Sequence, residues 1–423
     1  MARLTRREFV KASTLAAATA AIAPEALAKR RGAPLRAGVV GCGGRGTGAA
    51  VNFLEADSST RIVALADVFE DRIRGCRSEL AKLDGVLAGR GTVADERCYV
   101  GFDGYQRMIE GGNLDVVILA TPPGFRPSHI EAAVGAGLHV FTEKPVGVDG
   151  PGIRRVIAAA NAAKEKGLSI VAGTQRRHES SYLATMKRLR AGAIGRIVSA
   201  SCYWNQGGLW MNKRQASWSD MEWQLRNWLY FAWLSGDHIV EQHVHNLDAV
   251  NWALGATPTR CTGMGGRQVR TSGDYGHIFD HFAVEYEYPG GVRVTSMCRQ
   301  IEGCASKVEE VFVGTEGTCV TSPGRGEITG KNAWKFEGEN PNPYVQEHKN
   351  LVAAIASGQP INEGVQVAHS TLTAIMGRMS AYTGKVVTWE QALNSTLDLV
   401  PAKLEMGPLA TPEVAVPGRT PLV

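Results

Sequence analysis

The chain has 423 residues, 44% of them hydrophobic and 21% charged, with a formal net charge of +5. That much apolar side chain fills a large core and suggests two domains. The basic first 28 residues carry part of the charge excess, so what remains gives no reason to expect nucleic acid or an acidic membrane as a partner. Eight cysteines are scattered with no C-x-x-C pair, which excludes a disulfide-dense scaffold and a zinc knuckle and fits small buried thiols.

The N-terminus reads Thr5-Arg6-Arg7-Glu8-Phe9-Val10-Lys11, continues through an alanine-rich apolar run over 12–23, and offers a small-residue cleavage site at Ala26-Leu27-Ala28. This is the pattern of a twin-arginine signal peptide over residues 1–28, with a mature chain starting near Lys29 in the periplasm or outside the cell. The run is too short and too weakly apolar for stable membrane insertion.

Short β-branched runs at 37–41, 62–66, 116–120, 139–141 and 169–172 read as buried strands. Helical stretches at 46–55, 70–83, 104–110, 128–136 and 152–166 separate them. Continuous apolar strands alternating with helices specify a parallel sheet covered on both faces, a doubly wound Rossmann α/β domain over 36–176. The polar segment 84–97 reads as a surface excursion.

Past Arg177 the rhythm changes. A helix over 180–191 leads to a strand at 196–203, a tryptophan-rich stretch at 204–233 and a helix across 239–254. Alternating residues at 282–288, 292–298, 309–313 and 318–321, with Pro289-Gly290-Gly291 as a hairpin turn, predict an open, mainly antiparallel sheet. Helices over 344–356 and 365–382 follow, and Thr388 with Gln391 has capping-box spacing. Residues 177–400 thus read as an α+β domain for substrate and oligomerisation. The proline-spotted residues 401–423 read as an arm that wraps a neighbour.

Gly41-Cys42-Gly43-Gly44-Arg45-Gly46 follows the first strand and opens a helix, the context that gives a G-x-G-x-x-G its dinucleotide meaning. Gly41 permits the tight turn, Gly43 the approach of a pyrophosphate and Gly46 close helix–strand packing, with the helix N-terminus facing the phosphates. Asp67 ends the next strand and suits the two hydroxyls of an adenosine ribose while repelling a 2′-phosphate, so NAD is expected rather than NADP. Arg72 softens that preference.

A second constellation runs from Asp237 to Asp248. On one continuous helix Glu241 and His245 are i,i+4 neighbours with Asp248 three residues on. His245, with an ordinary pKa of about 6.5, suits a general base. His238, Glu241, His243 and His245 invite a metal, but on a helix His243 and His245 point to nearly opposite sides, so no metal is expected.

With the glycine turn, Thr121-Pro122-Pro123 and Glu143-Lys144-Pro145 at two strand ends make the mature chain resemble the Gfo/Idh/MocA family of sugar and polyol dehydrogenases. The resemblance implies a cofactor held by Gly41, Gly43, Gly44, Arg45, Gly46, Asp67, Thr121, Pro122, Glu143 and Lys144. It also implies that Lys144 reaches the substrate hydroxyl and that His245 is the catalytic histidine. The family's D-x-G-x-H-x-x-D pattern is altered: Glu241 replaces the aspartate and His243 the glycine, which leaves His243 facing either the sugar or a neighbouring subunit. Gly173-Thr174-Gln175-Arg176-Arg177-His178 with Tyr182 follows the family pattern as well, and puts Arg177 and Tyr182 at the cleft, or Arg177 between domains. Trp204, Asn205 and Trp210 are expected to contact sugar, since indoles stack on pyranose C–H faces.

The resemblance implies an NAD-dependent oxidoreductase acting on a sugar, glycoside or polyol, assembled as a dimer or tetramer. Outside the cytoplasm, free NAD is scarce, so the cofactor is expected to be held tightly and regenerated in place. A redox-neutral glycoside hydrolase or lyase working through a 3-keto intermediate is the alternative reading, and a non-catalytic sugar-binding protein is a third.

Overall fold

The structure, a computed structural model, describes residues 34–423; the leader expected over residues 1–28 lies outside the described residues. The first half of the chain alternates strand and helix: β1 (Leu35–Val40), α1 (Gly44–Ala56), β2 (Thr60–Asp67), α2 (Glu70–Ala81), β3 (Cys98–Val100), α3 (Gly104–Glu110), β4 (Val116–Leu119), α4 (Arg126–Gly135), β5 (His139–Thr142), α5 (Gly150–Glu165) and β6 (Ile170–Ala172). The six strands pair in parallel in the order β3-β2-β1-β4-β5-β6. This is the doubly wound order, in which the crevice between β1 and β4, where the direction of strand addition reverses, receives the ligand. All four residues of β4 are buried, as the absence of polar alternation requires when helices cover both faces. Edge strand β3 lies just beyond the expected surface excursion, too short to show a period.

The second half runs α6 (Ser180–Arg190), β7 (Ile197–Gln206), α7 (Asp220–Arg226), α8 (Ala232–Ser235), α9 (His238–Glu241), α10 (Val244–Leu254), β8 (Arg260–Gly266), β9 (His281–Glu287), β10 (Arg293–Gln300), β11 (Lys307–Gly314), β12 (Gly317–Ser322), β13 (Arg325–Gly330), β14 (Trp334–Lys335), α11 (Pro343–Ser357), α12 (Gly364–Thr383), β15 (Val387–Thr388) and α13 (Trp389–Asn394). Its nine-stranded sheet has the order β14-β13-β12-β11-β7-β10-β9-β8-β15. It is mixed: β7 pairs in parallel with β10 and antiparallel with β11. One face packs on the core, and the other carries the exposed Met264, Met297 and Val313. β8 escaped the sequence pattern because three of its seven residues are glycine. The capping box at Thr388 and Gln391 forms as expected.

α12 is buried along nearly its whole length and joins the two halves, packing on α5 and β8 in one continuous apolar cluster. The tail after residue 400 lies along its own chain. Met221 N–H donates to Gly407 O (3.1 Å), Leu409 N–H to Asp220 Oδ2 (3.1 Å) and Gly418 N–H to Thr383 O (2.9 Å). Among the described residues no helix is long and apolar enough to cross a membrane.

The helix expected across 239–254 is broken. Asp237 has a φ of 72°, a conformation costly for a residue with a side chain. Its carboxylate offsets that cost by accepting from the N–H of His238, from Phe279 N–H (2.8 Å) and from the Tyr382 hydroxyl (2.6 Å). Burial pushes its carboxyl up to about 6. α9, capped at its start by Asp237, is a single turn; Gln242 and His243 form a turn after it, and α10 starts afresh at Val244. Glu241 and His245 do not share one helix face.

Candidate active site

The glycine turn sits at the β1/β4 switch point. Gly41 has φ +91°, and a Cβ there would lie 2.6 Å from Thr121 N, so the turn touches the chain leaving β4. A Cβ on Gly46 would lie 1.8 Å from Gly41 O, whereas Gly43 and Gly44 face open space. Asp67 accepts from Cys42 N–H (2.7 Å) and Phe69 N–H (2.9 Å), one bond on each carboxylate oxygen. Burial raises its pKa against the pull of those two amides. Each oxygen retains a lone pair, which matches a vicinal diol.

Turn, Asp67, Thr121 and Pro122 border one cavity of about 530 Å³, within the range of small-molecule and cofactor sites. The open flank of Gly43 and Gly44, the α1 N-terminus and the diol-matching carboxylate together fit a dinucleotide. Gly46→Ala is expected to cost about 3 kcal/mol, the upper end for overpacking, because backbone cannot swing aside. Denaturant melts measure this, and an unchanged midpoint would contradict it.

Arg45 is partly diverted from the cavity. Its Nε pairs with Glu143 Oε1 (2.8 Å), its Nη2 donates to Asn52 Oδ1 (3.1 Å), and the guanidinium lies 5.0 Å over the Tyr344 ring. Glu143 is buried against Gly173, where a Cβ would meet its carboxylate at 2.5 Å. Thr121 Oγ1 is 3.2 Å from His129 Nδ1.

Lys144, joined to Pro145 by a cis peptide, extends from the end of β5 to α9. Its Nζ donates to the backbone oxygen of Glu241 (2.6 Å) and to Glu241 Oε1 (3.1 Å). Two of the three ammonium protons are thereby used and one is left. His245, in the first turn of α10, is 5% exposed, its Nδ1 is buried without a partner, and its ring stacks on Trp204 at 5.8 Å. Burial holds the imidazole well below 6.5, and the charges of Lys144 and Arg176 push the same way. It is neutral and able to accept a proton at pH 7. Activity that depends on it should therefore stay level as pH falls through 6.5. A profile of kcat/KM against pH that bends near 6.5 would contradict this.

Several expected substrate contacts lie elsewhere. Tyr182 is wholly buried and donates to Glu310 Oε2 (2.9 Å). Arg177 forms a two-pronged pair with Asp248 (2.8 and 3.0 Å) over the Trp252 ring, which fits a structural tie instead of a cleft residue. His243 is fully buried under the second sheet, with Nε2 2.8 Å from Ser296 Oγ, so it meets neither sugar nor neighbour. Asn205 alternates with the inward Cys202 and Trp204 along β7 and so belongs to the opposite, open face. Trp210 borders the nucleotide cavity. Among the described residues no group of three His, Cys, Asp or Glu is arranged to hold a metal.

Sequence reasoning missed Leu225, Arg226 and Trp228, which border the same cavity from the tryptophan-rich segment. No local pattern marks them.

Residues 35–173 match the oxidoreductase family with the NAD-binding Rossmann fold, and residues 182–320 match the GFO/IDH/MocA C-terminal domain. The chain belongs to the Gfo/Idh/MocA family. Among relatives of this Gfo/Idh/MocA protein, 2,7-anhydro-N-acetylneuraminate hydratase of Escherichia coli is 28% identical over 48% of this chain and 50% of its own length. Inositol 2-dehydrogenase 4 of Saccharopolyspora erythraea is 30% identical over 40% and 44%. The chain thus spans about half the length of these curated relatives. The solved aldose-aldose oxidoreductase of Caulobacter crescentus shares the fold, with a TM-score of 0.65 at 17% identity over 84% of this chain and 99% of that one.

Proposed function

We propose that this protein is an exported oxidoreductase that moves hydride between a tightly held NAD and a hydroxyl of a sugar, glycoside or polyol. The observation that carries the reading is the contact of Lys144 with Glu241, beside a neutral His245, at the strand end next to the β1/β4 crevice. When bound, a nicotinamide dinucleotide supplies the hydride acceptor. The remaining Lys144 proton is donated to the substrate hydroxyl oxygen and stabilises its developing charge. The imidazole of His245 accepts the hydroxyl proton. Glu241 fixes the ammonium through its carboxylate and its backbone carbonyl. The ring of Trp204, already packed on His245, supplies an apolar surface for a sugar face.

Asp67 favours NAD, because a 2′-phosphate would meet a carboxylate. Export rests on the twin arginines, Arg6 and Arg7, and on the apolar run behind them. The open face of the second sheet is the surface for a second copy.

A second reading, a redox-neutral lyase or hydrolase passing through a 3-keto intermediate, draws support from the hydratase named among the relatives. Its extra acid–base steps would fall to Glu241 and His245 alone, since His243 is sealed away. The test is to purify the protein without added nucleotide, release and identify what it carries, and assay sugars and aryl glycosides. Keto product with reduced cofactor supports the oxidoreductase, and freed phenol without added cofactor supports the second reading. A protein that takes up no nicotinamide dinucleotide would contradict both.

A further inference from the structure

One wall of the nucleotide cavity does not come from the Rossmann sheet. Trp210, Leu225, Arg226 and Trp228, all between β7 and α8, border it together with the glycine turn and Asp67. Two indoles, an apolar side chain and a guanidinium make a surface of the kind a purine ring takes.

Arg226 ties this wall to the other. Its Nη2 and Nη1 reach the two oxygens of Asp71 (3.1 and 3.2 Å), its Nε donates to Glu222 Oε1 (2.9 Å), and its guanidinium lies 4.0 Å over the Phe69 ring. Phe69 lies in the short connection between β2, which ends at Asp67, and α2, whose first turn carries Asp71. An isolated surface ion pair is worth little. This one is two-pronged and stacked on an aromatic ring, the geometry that suits arginine best. The hydrogen bonds from Arg226 hold the Asp71 carboxyl below its usual range.

The chain's own tail holds α7 in place. Met221 N–H donates to Gly407 O, Leu409 N–H to Asp220 Oδ2, and Gln224 Nε2 to Leu409 O (2.9 Å), while Gln224 Oε1 accepts from Trp233 Nε1 (2.7 Å). Leu404 and Leu409 join the aromatic cluster of this segment. Tail, helix and guanidinium thus form one braced element resting on the cavity.

We propose that this element is a clamp on the dinucleotide, with Arg226 and Asp71 as its latch, so that the cofactor leaves only when the latch opens. The clamp makes NAD a resident group of the protein instead of an exchanging cosubstrate. It rests on the reading above that the cavity takes a nicotinamide dinucleotide.

The test loads purified full-length protein with NADH, mixes it with excess NAD and follows the loss of bound NADH fluorescence. Asp71→Asn removes the latch without touching the cavity wall, and Arg226→Lys keeps the charge but loses the two-pronged geometry. Both are expected to speed release by about tenfold, equivalent to about 1.4 kcal/mol. Raised salt should speed release from the parent protein and leave Asp71→Asn, which has no latch ion pair to screen, little changed. Thermal melts of the nucleotide-free proteins check that the variants fold; Asp71 is exposed and tolerates the change. Unchanged release rates in both variants would overturn the clamp while leaving the cavity's reading intact. A parent protein that binds no NADH would overturn the cavity's reading itself.

Discussion

Replacing Lys144 with Met is expected to lower kcat by about a thousandfold, the range for a positioned proton-handling group, while nucleotide affinity stays within about threefold because Lys144 does not border the cavity that carries the glycine turn. The side chain keeps its length and loses the charge that Glu241 holds in two places. Nothing else on this strand end offers an ammonium to a hydroxyl oxygen, so the loss falls on the reacting step. Single-turnover rates and a nucleotide titration on the same protein separate the two quantities. Retained turnover would remove Lys144 from the chemistry, and lost nucleotide binding would make it a cofactor ligand only.

The second large effect is on stability. Glu310 is fully buried and gathers Arg176, the Tyr182 hydroxyl (2.9 Å), the Thr321 hydroxyl (2.7 Å) and Asn246 Nδ2 (2.6 Å). Glu310→Ala would strand the Arg176 guanidinium in the core, where its Nε and Nη2 already lack partners. Breaking a buried pair from one side costs about 3–5 kcal/mol. Urea melts of the variant should show a loss of that size, and a loss under about 1 kcal/mol would mean that water reaches Arg176. The effect reaches the site as well. Arg176 lies 5.5 Å over Trp204, and Trp204 stacks on His245. Activity of any Glu310 variant should therefore fall along with its stability.

What the sequence made legible was local. The glycine turn is a run of six residues whose meaning depends only on the strand before it and the helix after it, and the buried strands announce themselves by uninterrupted β-branched residues. Lys144 was singled out by the resemblance that Glu143-Lys144-Pro145 carries, and the structure places its ammonium on Glu241. The break in the helix before His245 was not readable. The interruption falls at Gln242 and His243, where the His243 ring is buried against Ser296, 53 residues along the chain, and no local pattern marks it. Tyr182 was expected at the cleft, Arg177 at the cleft or between domains, and His243 toward the sugar or a neighbouring subunit. Their partners Glu310, Asp248 and Ser296, each contributed by a different element, show them to be part of the scaffold. The outer cavity wall was hidden most completely, because Arg226 meets Asp71 across 155 residues and no motif spans that separation.

The measurement that bears most directly on the hydride chemistry is rapid mixing of the NAD-loaded protein with a saturating panel of carbohydrates, read at the near-ultraviolet absorbance of reduced nicotinamide. At least one sugar, glycoside or polyol should produce that absorbance in a single turnover, and the signal should vanish in Lys144→Met with NAD still bound. A loaded protein that shows no reduction with any carbohydrate, or a Lys144→Met variant that reduces its NAD as fast as the parent, would contradict hydride transfer at this site.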